Sequence, residues 1–225
     1  MTRIERDSLG ELEIPDEAYW GVHTARAVEN FPISRRTIGI YPDLVRAFAQ
    51  VKQAAVRTNA ELGELDDERA EYIDQACQEI IDGKLHDQFV VGVIQGGAGT
   101  SSNMNANEVI ANRALELAGR QKGDYAYIHP IDHVNRAQST NDTYPSAVKL
   151  AIAAGLKKLI AELQLLQYSF HRKSREFRDI LKVGRTQLQD AVPMTLGQEF
   201  HGFASTVGED VERLSRHVPL LFELN

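Results

Sequence analysis

Two long apolar seams constrain this chain more than anything else in it. Val148, Ile152, Leu156, Leu159, Leu163, Leu166 and Phe170 recur at steps of three and four. So do Leu196, Phe200, Phe203, Val207, Val211, Leu214, Val218 and Leu221. That spacing keeps one face of a helix apolar for many turns. At 1.5 Å per residue, a seam of about 30 residues spans roughly 45 Å. Between the seams lies a polar connector, KVGRTQLQDAVPMTLGQE, at residues 182–199. Two long seams joined this way predict an antiparallel helical pair inside a bundle. The apolar pattern runs on through HVPLLFELN, past Pro219 to Asn225, with no polar tail to close it. This predicts either the front part of a longer chain or other subunits that cover the open face.

Ahead of the seams, residues 3–14 alternate weakly around Gly10 through Ile4, Leu9, Leu12 and Ile14, which fits a small hairpin. Residues 15–43, with Pro15, Pro32 and Pro42, read as irregular. From Asp43 onward, Leu44, Phe48, Val51, Ala55 and Leu62 mark a helix. Asp66 predicts the cap of the next one, with Asp67 and Glu68 in its first turn and Gly83 as its stop. Residues 85–94 read as a short apolar helix. Asn105, with Glu108 three residues on, predicts a capping box for a helix through Leu117 that Gly119 closes. No strand signal follows residue 20 or so. The predicted class is all-α. A mostly helical N-terminal domain with a small hairpin covers residues 1–142, and the first part of a central helical bundle covers 143–225.

The chemistry concentrates where the first seam begins. Residues 128–145, IHPIDHVNRAQSTNDTYP, pack short hydrogen-bonding side chains between two prolines at the entrance of a long helix. A helix entrance carries unpaired N–H groups and a positive dipole end, so it suits a small anion. An elaborate N-cap loop accounts for the same residues. A second polar run, QGGAGTSSNMNANE at 95–108, repeats the pattern: Thr100-Ser101-Ser102-Asn103 echoes Ser139-Thr140-Asn141. It is neither a phosphate loop nor a dinucleotide fingerprint, because no Gly-Lys-Ser/Thr follows it and no strand precedes it. His129 and His133, four apart, suggest a metal pair, but Pro130 and the lack of a Cys or Glu third ligand argue for hydrogen bonding within the loop instead. No metal and no cofactor are expected.

The bulk numbers narrow the partners. The chain has 225 residues, 43% hydrophobic and 25% charged, with a net charge of −7. No basic block offers a surface to nucleic acid or anionic membranes. No run approaches the roughly 18 apolar residues of a membrane span. The N-terminus has no apolar signal segment. The single cysteine, Cys77, lies among Ala76, Ile80 and Ile81 and reads as a buried structural thiol in a reducing, cytoplasmic compartment.

Together these stretches resemble the aspartase/fumarase superfamily of homotetrameric lyases, on its aspartase side, over essentially the whole chain. The resemblance rests on GELEIPDEAYWGVHTARAVENFPIS, QGGAGTSSNMNANEVIANRALE, HPIDHVNRAQSTNDTYP and KVGRTQLQDAVPMTLGQEF, with the seams around them. Class II fumarases typically read Ala-Gln-Thr at Val22-His23-Thr24. They read Gln-Thr-Gly-Ser-Gly-Thr at residues 95–100, and place a histidine where this chain has Gln187, as some aspartases also do. The chain departs from the family at Ile131, where an asparagine is common. The secondary dicarboxylate site that fumarases form there is therefore not expected.

The resemblance implies reversible elimination of ammonia from L-aspartate to give fumarate through an aci-carboxylate intermediate. It implies that Thr100, Ser139, Thr140, Asn141 and Thr186 bind the dicarboxylate, with Gln187 adjacent, and that sites are assembled from three subunits of a homotetramer. Neutral donors would stabilise the developing charge without competing with the substrate ammonium. The family's catalytic serine, with a substrate-binding lysine and asparagine, sits in a Ser-Ser-x-Met-Pro-x-Lys-x-Asn loop. Residues 1–225 lack that motif, and the serine base is expected beyond Asn225. No catalytic residue is therefore assigned within residues 1–225, and this stretch alone is expected to be inactive. A class II fumarate hydratase, another lyase of the superfamily, or a non-catalytic tetrameric bundle protein are the alternatives.

Overall fold

A computed structural model describes residues 1–223. Asn225, beyond which the serine base is expected, lies outside the described residues, as does the last part of the HVPLLFELN run. The fold is mainly all-α, and the described chain divides into two compact units, Met1–Ala151 and Ile152–Glu223.

The first unit opens on a hairpin of β1 (Thr2–Asp7) and β2 (Gly10–Pro15), paired from Thr2↔Pro15 to Asp7↔Gly10. Its inward face differs from the expected apolar alternation. Ile4 and Leu9 are exposed, while Glu5 and Ile14 are buried. Arg3 turns inward beside Glu5 and donates to the carbonyls of Pro15, Ala18 and Trp20. The next segment is not irregular throughout. Helix α1 (Val22–Asn30) forms there with no cap from its own neighbours. Its N-terminal amides are taken by two distant buried carboxylates. Glu108 accepts from Gly21 and His23 at 2.8 Å and from Thr24 at 3.0 Å, and Glu5 accepts from Val22 at 2.9 Å. A negative group at a helix start satisfies orphan donors and the dipole together.

Helices α2 (Pro42–Glu61) and α3 (Asp67–Ile81) pack antiparallel, with Gln53 meeting Gln78 and Arg57 meeting Asp74. Pro42 is preset for the first turn of α2. The buried stripe of α2 is Val45, Phe48, Ala49, Lys52, Val56 and Asn59, turned from the expected one, and Leu62 lies exposed past its end. Asp66 caps α3 as expected, accepting from Arg69 N, and Gly83 follows its end at φ +102. Cys77 is fully buried, and burial pushes its thiol up, away from reactivity. Residues 85–94 do not form an apolar helix. After a short turn at His86–Gln88 the chain is irregular, with an isolated bridge from Gly92 to Thr37, and Val91 O and Phe89 O accept from Ile38 N and Gly39 N.

Helix α4 (Thr100–Leu117) is central to the first unit, with Ala106, Val109, Ile110, Ala111, Ala114 and Leu115 in the core. It starts five residues ahead of the expected capping box. Asn105 and Glu108 are interior residues whose side chains serve other segments. Gly119 does follow its end, at φ +71. A π-helical turn at Pro130–Val134 leads to α5 (Thr140–Glu176), which begins eight residues before Val148, the first residue of the seam.

The second unit holds α5 from Ile152, then a hairpin of β3 (Leu181–Thr186) and β4 (Gln189–Thr195), then α6 (Leu196–His217). This hairpin corrects the expectation of no strand after residue 20. Helices α5 and α6 pack antiparallel, as expected. A side chain at Gly197 would strike Ser174 O and Arg178, whereas one at Gly208 would strike Gln167. Between these points Phe170, Phe177, Phe200 and Phe203 cluster, with ring centroids 5.5–6.0 Å apart. Thr195 and Gln198 form a reciprocal capping box for α6. Ile152, Leu159 and Leu166 of the first seam stay exposed.

Candidate functional site

The first unit brings the two echoing polar runs together. Thr100 is the first residue of α4 and Thr140 the first of α5. Asn103 Nδ2 lies 3.3 Å from Thr140 Oγ1. Gly99 holds φ +89, and a side chain there would sit 2.1 Å from the Tyr144 ring, so this crossing demands glycine. Two helix entrances therefore open side by side, and each brings the partial positive charge of a helix N-terminus to the crossing.

Around that crossing Thr100, Ser139 and Asn141 are exposed and Thr140 is half-buried. Ser139 caps α5: its Oγ accepts from Asn141 N at 3.1 Å, and its own N–H donates to Asp142 Oδ2 at 3.2 Å. Gln95 caps α4 from outside the helix. Its Oε1 accepts from Ser102 N and its Nε2 donates to Ser102 Oγ at 2.8 Å. So the sequence-predicted donors Thr100, Ser139, Thr140 and Asn141 share one neighbourhood. Thr186 and Gln187 belong to the second unit, at the tip of its hairpin. There Gln187 and Leu188 both hold positive φ, 49° and 62°, which side-chain-bearing residues adopt only at a cost.

Beneath the crossing lies a buried frame that sequence reasoning missed. Lys52 of α2 is 0% exposed. Its Nζ donates to Asn135 Oδ1 at 2.7 Å and to Gln138 Oε1 at 3.0 Å, and among the described residues no carboxylate pairs with it. Asn135 Oδ1 also accepts from Asn103 Nδ2 at 3.1 Å and Asn107 Nδ2 at 3.2 Å. Thr143 Oγ1 donates to Asn103 Oδ1 at 3.0 Å. Burial pulls the Lys52 ammonium down to about 7, against the small opposing effect of the Cys77 thiol. One signal was available. Asn103, Asn105, Asn107 and Asn112 all sit inside a helix, where asparagine is a poor former unless its side chain is used elsewhere.

The two histidines hydrogen-bond within their loop, as the sequence predicts. His129 N donates to His133 Nδ1 at 2.7 Å, and His129 Nδ1 accepts from Ile131 N and Asp132 N. Burial, then Arg69, holds His133 below the usual histidine value, which keeps it a neutral acceptor. Among the described residues no group of three or more His, Cys, Asp or Glu gathers as metal ligands. Nor is any helix among them long and apolar enough to cross a membrane.

Known proteins resemble this chain along its length. The family model described as Lyase matches residues 10–225. Aspartate ammonia-lyase of Pseudomonas aeruginosa is 56% identical over 225 residues, covering 100% of this chain and 48% of that protein. The crystal structure of fumarate lyase:delta crystallin from Brucella melitensis in native form has a TM-score of 0.97 at 56% identity, over 100% of this chain and 52% of that one. A class II fumarase from Schistosoma mansoni has a TM-score of 0.91 at 37% identity, over 100% and 47%. The chain spans about half the length of the curated relatives it matches.

Proposed function

This chain belongs to the lyase family of the aspartase/fumarase superfamily, and from that premise we propose that the full-length protein eliminates ammonia from L-aspartate to give fumarate, reversibly. The observation that carries the reading is the crossing of two helix entrances lined by neutral donors. A dicarboxylate needs N–H and O–H groups around its oxygens. Proton removal beside the β-carboxylate gives an aci-carboxylate with two full negative charges, and donors already in position stabilise it most where charge develops. Thr100, Ser139, Thr140 and Asn141 would supply these donors, with Thr186 and Gln187 contributed by another subunit of a homotetramer. A tetramer would also cover the exposed Ile152, Leu159 and Leu166. In this reading the base is the serine of the Ser-Ser-x-Met-Pro-x-Lys-x-Asn loop, a motif placed beyond Asn225. Residues 1–142 act as the lyase domain, 143–225 begin the bundle, and the enzyme works in the cytoplasm without a cofactor.

Fumarate hydration is the alternative within the family. Ammonia release from aspartate against hydration of fumarate separates the two. Thr140→Ala in the full-length protein should lower kcat/KM for aspartate by about ten- to a thousandfold, the usual worth of one such donor. Activity within twofold of wild type would refute the role of Thr140.

A further inference from the structure

We infer that Lys52 is a positioning residue of this site: from the interior it fixes the polarity of a hydrogen-bond relay that leaves the Thr140 hydroxyl free to donate outward. The inference rests on the functional reading above and goes beyond it, because Lys52 is far too buried to touch a substrate.

The relay follows from which groups can only give a hydrogen bond. A lysine ammonium can only donate, so an amide facing it must turn its oxygen toward it. Asn135 does so, with Oδ1 at 2.7 Å from Lys52 Nζ. On its other side Asn135 Nδ2 donates to the Gln138 carbonyl at 2.9 Å, which permits only the same orientation. Asn103, facing Asn135 Oδ1 at 3.1 Å, must then present its NH2 group. That same NH2 group reaches Thr140 Oγ1 at 3.3 Å, so the Thr140 oxygen accepts. Its O–H is left to donate elsewhere, and the open side is the helix crossing. Thr143 Oγ1 stands 3.0 Å from Asn103 Oδ1 and 3.2 Å from Ser139 O, two acceptors that share its one proton.

The ammonium can only donate; the neutral amine also carries a lone pair, and in that state the Gln138 carbonyl keeps Asn135 in the same orientation. Although burial pulls its ammonium down to about 7, the neutral amine retains two N–H groups. Two acceptors, Asn135 Oδ1 and Gln138 Oε1, are what it serves. A methionine of similar length would fill the same space and supply neither hydrogen bond. The relay would then hold its polarity from one end only.

A pair of double-mutant cycles in the full-length protein tests this. Lys52→Met and Asn103→Leu are each made alone and combined with Thr140→Ala, and kcat and KM for aspartate are followed by fumarate absorbance. Each single variant should lower kcat/KM by about tenfold with a raised KM, since the donor is misaimed in substrate binding as well as in turnover. On the Thr140→Ala background the further loss should shrink to about twofold or less, because the group being aimed is gone. Equal losses in both backgrounds would overturn the inference, as would a loss confined to kcat with KM unchanged, the mark of a smaller active fraction. If Lys52→Met does not accumulate folded, the Asn103→Leu cycle decides alone. Wild-type protein that makes no fumarate from aspartate refutes the functional reading, and this inference with it, before any variant is compared.

Discussion

Lys52 should leave a measurable mark on stability as well as on the site. Its ordinary pKa is 10.5 and its folded value is about 7. Burial disfavours the charged form, and the small opposing effect of the Cys77 thiol does not offset it. Between those two values the unfolded chain holds the proton and the folded chain does not. The unfolded state therefore binds more protons there, and stability rises with pH across that window. At pH 6 the buried ammonium costs about 5 kcal/mol, and at pH 9 the remaining penalty is about 2 kcal/mol. Lys52→Met removes the titration and leaves every other group in place. The lost donor to Gln138 is a constant that does not vary with pH. Urea unfolding of the full-length protein at pH 6 and pH 9, at one fixed protein concentration because assembly adds to apparent stability, should show wild type gaining about 2–3 kcal/mol more than the variant. Parallel pH dependence in the two proteins would show that Lys52 stays charged throughout, and would refute the argument from burial.

Two further substitutions probe the scaffold. Glu108→Leu strips the acceptor from the amides of Gly21, His23 and Thr24, and these donors, two buried and one part-buried, left unpaired should cost about 3–5 kcal/mol in urea unfolding; a loss below about 1 kcal/mol would mean that α1 starts without it. Leu188→Gly relieves a left-handed backbone at φ +62 in a fully exposed turn residue and should stabilise by about 0.5–1 kcal/mol after the entropy of glycine is counted, so any fall in stability would sink that reading of the turn.

Much of the fold was legible because it is written locally. Asp66 caps α3 through its own neighbour Arg69, and the seams meet at Phe170, Phe200 and Phe203. Helix α1 was illegible because its caps, Glu5 and Glu108, come from 17 and about 85 residues away. The second hairpin was illegible for two reasons. Its turn is Gln187-Leu188 rather than the Asn-Gly or Asp-Gly that announces such turns, and its strands are mostly exposed, so they carry no apolar alternation. In the site, the residues that face outward, Thr100 and Ser139 to Asn141, stood out as dense polar runs. Lys52 did not, because one lysine in a helical stripe reads as a break in the apolar pattern rather than as part of it.

The burial of Lys52 also explains why the site keeps its cationic residue behind its donors. If the proposed substrate is right, an exposed lysine at the crossing would attract its carboxylates, but it would also repel its ammonium and stabilise ground state and transition state alike. Thr, Ser and Asn side chains avoid that, yet each is ambiguous: a hydroxyl or an amide can give or accept, and can turn to satisfy whichever neighbour is nearest. Something in the network must break the ambiguity. A carboxylate there could only accept, and it would oppose the orientation that the Gln138 carbonyl imposes on Asn135. A lysine ammonium can only donate, so together with the Gln138 carbonyl it holds the direction that leaves the outer hydroxyl useful. A fully buried lysine without a counter-ion is a poor choice for stability. It is the choice that fixes which way Asn135, Asn103 and Thr140 point, and that is why the cost to stability and the benefit to the site are predicted to travel together in Lys52→Met.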